Sequence, residues 1–273
     1  MKRIFTFLLI IFSVIVFHSF YISNAENKSI GATVLDAFDN LRHLEFYEAL
    51  ANPTVAYVKI PEGYRKEQIA SIFEKRFGWD EKEKSDFFAY DYLRDRKHEG
   101  KYFPDVYLVS KTITGTDMRN QMAEKFDTTL EDLKTEALKK NVNFESILTI
   151  ASIIQRETGG KSDMRLISGV IWNRLYLGMK LQMDATLQYA KGTEENKWWP
   201  HVTPSDKQIE SPYNTYTNVG LPPSPIANPG LASIEAALTP LKTKCLFYFH
   251  KDKKIYCSQT YEEHKRKINL YLK

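Results

Sequence analysis

One carboxylate stands where a helix pattern calls for an apolar residue. Ile147, Ile150 and Ile154 recur at spacings of three and four, and Glu157 continues their stripe at the last turn before Thr158, Gly159 and Gly160. Asn143 is a helix-capping residue type, so the spacing predicts a helix beginning at Phe144. A carboxyl at the far end of that helix is partly desolvated and lies at the negative end of the helix dipole. Both effects favour the protonated form, which donates a proton near neutral pH. The plain alternative is a solvated Glu, or one tied to a neighbouring Lys or Arg, and periodicity alone leaves both open. Gln155 cannot exchange a proton, and Arg156 points to another face.

The elements around this helix follow from local signals. Ser162 as a cap predicts a second helix over 163–177, closed by Gly178, with Leu166, Val170 and Ile171 inward. Asn173 and Arg174 are its polar exceptions, and Arg174 is either a carboxylate anchor or solvated. Leu181 to Asp184 reads as an extended stretch with Gln182 and Asp184 on one face, followed by a short helix over 185–190 that Asp184 is able to cap. Asp184 is the nearby candidate for a second acid. From Trp198 to Pro240 the chain is rich in Pro, Asn, Gly and Tyr, and an irregular stretch of that length is expected to build a site. Trp198, Trp199 and His201 either extend a stacking surface there or simply pack at the surface. A short helix is expected over 234–238 and a hairpin around 251–254.

Three runs then carry a resemblance: ASIIQRET (151–158), VIWNRLYLGMKLQMDATLQYA (170–190) and SPYNTYTNVGLPPSPIANPGLASIEAAL (211–238). Together, in this order, they resemble the MltG/YceG-like family of membrane-bound endolytic murein transglycosylases. The resemblance implies an enzyme with no cofactor and no metal, acting on peptidoglycan glycan strands. One Glu protonates the oxygen between N-acetylmuramic acid (MurNAc) and N-acetylglucosamine (GlcNAc), and the muramyl 6-hydroxyl attacks in place of water. It implies Glu157 as the catalytic residue. Gln182, Asp184, Thr186, Tyr189, Tyr213, Asn214, Thr215, Tyr216 and Asn228 follow as substrate contacts or their supports, with a loop-fixing role expected for Asn228. Many members carry EKET where this chain has Gln155 to Thr158, so the acid's role falls on Glu157. The ending SQTYEEHKRKI keeps Thr260, Glu263 and His264, but Lys265 replaces the usual Asn, and Ile255 and Cys257 replace a His-x-Phe. This end is expected to buttress the groove, with His264 as a hydrogen-bonding residue. Two rival functions stay open: a muramidase using Glu157 with Asp184, and a non-catalytic glycan-binding scaffold of the wall-synthesis machinery.

At 273 residues with 43% apolar side chains, the chain buries one substantial core and a small second one. A formal charge of +4 is too mild to argue for nucleic acid. Lys2 and Arg3 precede an apolar run from Ile4 to Ile22, long enough for a short membrane span, and the charge bias puts the body of the chain outside the cytoplasm. A retained anchor is expected, with Ser23 and Ala25 as the signal-peptide alternative. The expectation is a single-pass protein of the cytoplasmic (inner) membrane. Its catalytic part faces the periplasm or extracytoplasmic space, and its partners are the lipid bilayer, glycan strands and wall-synthesis proteins. Cys245 and Cys257 flank the expected hairpin; two buried thiols are expected, a disulfide being the alternative in an oxidising compartment.

The segment after the anchor reads as a helix over 31–50, a strand over 54–60, a turn at Pro61 to Gly63, and helices over 65–76 and 81–89. YVKIPEGYRKEQIASIFEKRF (57–77) looks like the LysM-like subdomain of the same family. EGKYFPDVYLVS (99–110) resembles the family's EGYLFPDTY, with core packing the default for Tyr102 and Tyr107 and sugar stacking the alternative. Two more helices are expected over 116–126 and 130–140. The resulting fold class is α+β: an amino-terminal membrane helix (1–25), a juxtamembrane segment with a small LysM-like subdomain (26–110), and a mixed α/β catalytic domain with a long groove-forming loop (111–273).

Overall fold

The computed structural model describes residues 53–89, 99–252 and 254–272. By compactness the chain divides into residues 1–57 with 108–111 and residues 58–107 with 112–273. In the first unit the described residues are the outer ends of two short strands, where the Lys111 N–H donates to the Thr54 carbonyl at 2.8 Å. The second unit holds the helices and the carboxyl-terminal hairpin.

Strands β1 (Val55–Lys59) and β2 (Val106–Ser110) form one two-stranded sheet, and the helices α1 (Lys66–Phe77) and α2 (Glu81–Phe88) lie between them in sequence. α1 begins where Gln68 Oε1 accepts from the Arg65 N–H and ends at Gly78, whose φ of 72° is left-handed. Asp80 caps α2 by accepting from the Glu83 N–H at 2.9 Å. A file of rings joins these pieces: Phe73 on Trp79, Trp79 on Phe87, and Phe87 on Tyr102, with centroids 4.6, 5.5 and 4.5 Å apart. Tyr102 and Tyr107 are buried, and their hydroxyls donate to the carbonyls of Phe87 and Phe103. They are core residues and offer no sugar platform.

One long helix, α3 (Gly115–Lys139), replaces the two expected there. The polar run at 127–129 reads as a break, yet the Thr128 hydroxyl donates back to the Glu124 carbonyl, and Phe126 and Leu130 on either side of the run are buried. Then comes α4 (Phe144–Glu157), capped by Asn143 Oδ1 accepting from the Glu145 and Ser146 N–H groups. Its burial exceeds a stripe, since every residue from Ile147 to Ile154 is buried. The cause is its position: α3, α5 (Met164–Tyr176), α6 (Asp184–Lys191) and α7 (Leu231–Leu238) all pack on it, and a helix enclosed on every side is apolar all round. α5 follows a single 3₁₀ turn, Lys161–Asp163, and in place of the expected extended stretch Leu181 to Met183 turns through a left-handed Gln182 into α6, of which Asp184 is the first residue rather than a side-chain cap.

The carboxyl end is a hairpin, β3 (Phe247–Lys251) and β4 (Lys254–Ser258), antiparallel with Tyr248 opposite Cys257, followed by α8 (Tyr261–Tyr271). Contrary to the expectation of free thiols, Cys245 and Cys257 form a disulfide with Cα atoms 5.7 Å apart. Cys245 lies ahead of β3, where the Leu246 N–H donates to the Ser258 carbonyl at 2.9 Å and holds that approach beside Cys257, an arrangement that spacing in the sequence alone does not specify.

The expected fold class needs a larger correction. The described residues form a mixed, mostly helical architecture with two small two-stranded sheets, and no helix among them is long and apolar enough to cross a membrane. The transmembrane anchor, the lipid bilayer as partner and the single-pass inner-membrane placement are therefore withdrawn as features of the structure. The apolar run Ile4 to Ile22 that suggested them lies outside the described residues, as does the helix expected over 31–50.

Candidate active site

α4 delivers Glu157 to the wall of a cleft of about 360 Å³. The other walls are Arg174 of α5, Leu181 to Met183 and Asp184 at the start of α6, Lys207 and Tyr216 of the long loop, Phe247 and Tyr248 of β3, and Tyr261 and His264 of α8. Glu157 is half-buried. The Ala185 N–H, in the first turn of α6, donates to its Oε1 at 3.1 Å, and the Tyr248 hydroxyl donates to its Oε2 at 2.8 Å. Burial is the largest influence and raises the proton affinity of Glu157 above the ordinary carboxyl range. The two donors and the nearby His250 oppose that rise, while the charge of Asp184 adds to it. The outcome is a carboxyl held in place at both oxygens and biased towards its protonated form.

Burial alternates over Leu181 to Asp184 as the sequence suggests, although the backbone there is not that of a strand. Leu181 and Met183 are buried, Gln182 and Asp184 are exposed, and both of the latter line the cleft. Gln182 has a φ of 53°, in the left-handed region that a non-glycine residue adopts at a cost of about 1 kcal/mol or more. Two bonds to one residue hold it there: the Gln182 N–H donates to the Thr215 carbonyl at 3.0 Å, and the Met183 N–H donates to Thr215 Oγ1 at 3.0 Å. Asp184 Oδ1 accepts from the Tyr216 hydroxyl at 2.6 Å. Glu157, Gln182, Asp184 and Tyr216 thus share one cleft.

The remaining expected residues support that cleft or lie apart from its lining. Thr186 and Thr215 are buried, with their hydroxyls 2.9 Å apart. Asn214 is buried, donates to the carbonyls of Lys207 and Ile209, and accepts from the Tyr216 N–H, so it shapes the loop that presents Tyr216. Asn228 is buried and ties the loop to the Tyr64 carbonyl, to Glu99 and to the Tyr102 N–H, each at 2.9 Å. Tyr189 and Tyr213 pack on each other at 4.8 Å, with the Arg65 guanidinium 4.2 Å over the Tyr189 ring, and neither lines the cleft. Trp199 is engaged elsewhere as well, its ring under the Arg156 guanidinium and its N–H on Gln68.

Several residues of the cleft escape a reading of the sequence. Arg174 is neither solvated nor a carboxylate anchor; it is buried and donates to the carbonyls of Leu246, Lys180 and Leu181. Gln155, in the place of the first Glu of the family's EKET, accepts from the Gly230 N–H and the Ser233 hydroxyl, fastening the end of the loop to α4. Tyr248 lies 91 residues from Glu157, and the one available signal was the alternation of Phe247, Tyr248, Phe249 and His250, which puts the two polar rings on one face. His264 does not act as the expected hydrogen-bonding residue: its ring stacks on Phe247 at 5.5 Å, and its Nδ1 is buried without a partner. Thr260 caps α8 by accepting from the Glu263 N–H, and the Glu263 carboxylate accepts from the Gln259 N–H, which accounts for these two residues of the terminal motif structurally.

The chain is similar to known proteins in both sequence and fold. The sequence model described as the YceG-like family matches residues 11–270. A Bacillus subtilis (strain 168) protein named endolytic murein transglycosylase is 36% identical over 214 residues, 76% of this chain and 58% of that protein. A protein of the same name from Streptococcus pneumoniae serotype 2 is 32% identical over 173 residues, 62% of this chain and 31% of that one. The chain thus spans between about a third and somewhat over half of these relatives. A crystal structure of a yceG-like protein from Listeria monocytogenes superposes with a TM-score of 0.64 at 28% identity, covering 84% of this chain and 80% of that one.

Proposed function

The chain belongs to the YceG-like family, and on that premise we propose that it is an endolytic lytic transglycosylase of peptidoglycan. It cleaves the MurNAc–GlcNAc bond inside glycan strands, leaves a 1,6-anhydro-MurNAc end, and so trims or terminates nascent strands. The observation that carries this reading is Glu157, a carboxyl biased towards its protonated form by burial and fixed at both oxygens in the wall of an open cleft. Two relatives named endolytic murein transglycosylase support it.

The chemistry balances without water. Glu157 gives its proton to the glycosidic oxygen as the bond from that oxygen to the anomeric carbon of MurNAc breaks, and GlcNAc leaves with a hydroxyl. The 6-hydroxyl of the same MurNAc attacks the anomeric carbon and returns its proton to the Glu157 carboxylate. The attacking group is tethered to its target, which removes the entropic cost of capturing a separate nucleophile. Asp184 and Gln182, exposed on one edge of the cleft, bind sugar hydroxyls or acetamido groups, with Tyr216 orienting Asp184.

The test is mass analysis of products after incubating the purified full chain with uncrosslinked glycan strands. Internal cuts ending in 1,6-anhydro-MurNAc are the expected result. Reducing ends would instead make the protein a muramidase with Asp184 as its second carboxylate, and binding without cleavage would make it a scaffold.

A further inference from the structure

The β3–β4 hairpin meets the cleft with one face. Tyr248 and His250, two residues apart on β3, lie against the end of α4 and the turn after it. Tyr248 donates to Glu157 Oε2 at 2.8 Å, and His250 Nε2 lies 3.2 Å from Asp163 Oδ2. On the other face, Phe247 and Phe249 meet the His264 ring at 5.5 and 5.8 Å. The register sets Tyr248 opposite Cys257, and Cys257 is bonded to Cys245, just ahead of β3. α5 fixes the root of the strand again, with Asn173 donating to the Cys245 carbonyl and Arg174 to the Leu246 carbonyl. A single hydroxyl on the acid is thus backed by a disulfide, a helix and a ring stack.

We infer that Tyr248 is a positioning residue for Glu157 and that the Cys245–Cys257 disulfide is the staple that holds it there. The inference rests on the proposal that Glu157 is the acid. A donor to Oε2 favours the carboxylate, so Tyr248 limits how far burial raises the proton affinity of Glu157 and fixes the plane of its carboxyl. Burial and the charge of Glu157 hold the tyrosine hydroxyl itself protonated well above its ordinary range, so it remains a donor at any working pH. The other groups that face Glu157 are Asp184 of α6, the Tyr216 hydroxyl of the loop, His250 of β3 and the adjacent Arg156.

In the full chain, Tyr248→Phe keeps the ring and removes the donor. A carboxyl that must be protonated works below its pKa and fails above it, and loss of a donor to the carboxylate raises that pKa. The basic limb of kcat/KM on glycan strands is therefore expected to move up by about one pH unit. On the acidic plateau kcat falls about tenfold as the carboxyl loses its orientation, with KM within about twofold. Wild-type protein treated with a thiol reductant, and the Cys245→Ser, Cys257→Ser double variant, shift the limb in the same direction and lose kcat severalfold. An unshifted limb in Tyr248→Phe overturns the positioning role, and an unshifted limb after reduction overturns the staple. Glu157→Gln separates the inference from its premise. Retention of most activity in that variant removes the acid assignment itself, whereas a loss of about a hundredfold or more in Glu157→Gln beside an unshifted Tyr248→Phe profile sinks the inference alone.

Discussion

A carboxylic acid donates a proton at neutral pH only if its surroundings disfavour the anion, and then it must be handed the proton back. Glu157 meets both conditions, because burial raises its pKa while the Ala185 N–H and the Tyr248 hydroxyl keep the anion tolerable. Glu157→Gln is expected to lower kcat by about 10²- to 10⁴-fold, the usual worth of a general acid, with an unchanged thermal midpoint and retained strand binding. Asp184→Asn removes a neighbouring negative charge and so moves the basic limb of the pH profile down, not up, while leaving measurable anhydro product. Glu99 is a second carboxyl with another task. It is buried, its Oε1 accepts from the Lys66 N–H and from Asn228, its Oε2 has no partner among the described residues, and burial, with the charge of Glu67, pushes its pKa up to about 8. A group whose pKa is raised on folding stabilises the fold below its unfolded pKa, and that stability is lost as pH rises through the folded value. The thermal midpoint is therefore expected to fall between about pH 5 and 8, a loss on the order of a few kcal/mol, and Glu99→Gln flattens that slope.

Elements decide how close these residues come. α5 lies hard against the segment after α7 because position 169 is glycine: a Cβ there would stand 2.3 Å from the Leu241 carbonyl oxygen and 2.9 Å from Thr243 Cγ2. Gly169→Ala is expected to destabilise the protein by about 1–3 kcal/mol in chemical denaturation, since backbone has to move to admit a methyl group. Activity should fall with stability, because Asn173 and Arg174 on the same helix hold the entry to β3. How much of this was legible in sequence depends on the range of the contact. Local signals placed the Asn143 cap, the end of α4 at Glu157 and the burial alternation of Leu181 to Asp184, since each is set by neighbours a few residues away. The continuity of α3 was misread because composition cannot show a Thr hydroxyl satisfied by its own helix. Tyr248 and the role of Arg174 were illegible because they depend on Glu157 and on the Leu246 carbonyl, 91 and 72 residues along the chain, and the disulfide because spacing does not show how the approach to a hairpin meets its second strand.

At the scale of the molecule, the long loop between α6 and α7 has almost no regular structure, yet it must hold Tyr216 steady against Asp184. Backbone without strands or helices is ordered only where side chains substitute for the missing ladder. Here the Asn residues do so, Asn214 inside the loop and Asn228 at its far end. Asn228 bridges segments distant in sequence, as its side chain reaches the Tyr64 carbonyl, Glu99 and the Tyr102 N–H, and its backbone exchanges bonds with Gly63 and Tyr64. Asn228→Ala keeps the backbone pair and removes three buried side-chain bonds, leaving the Tyr102 N–H without its side-chain acceptor. A loss of roughly 2–4 kcal/mol is expected, the cost of buried polar groups left unpaired. The loss should be local in its first effect, because the residues on either side of Asn228 are fastened to α4 by bonds of their own: Gln155 accepts from the Gly230 N–H and the Ser233 hydroxyl, and the Ser152 hydroxyl accepts from the Ile226 N–H. Native-state hydrogen exchange reads the difference. Faster exchange at Gly63, Lys66 and Tyr102, with α4 unchanged, is the expected pattern, whereas uniform acceleration across α4 would mean that the loop and the core unfold as one unit.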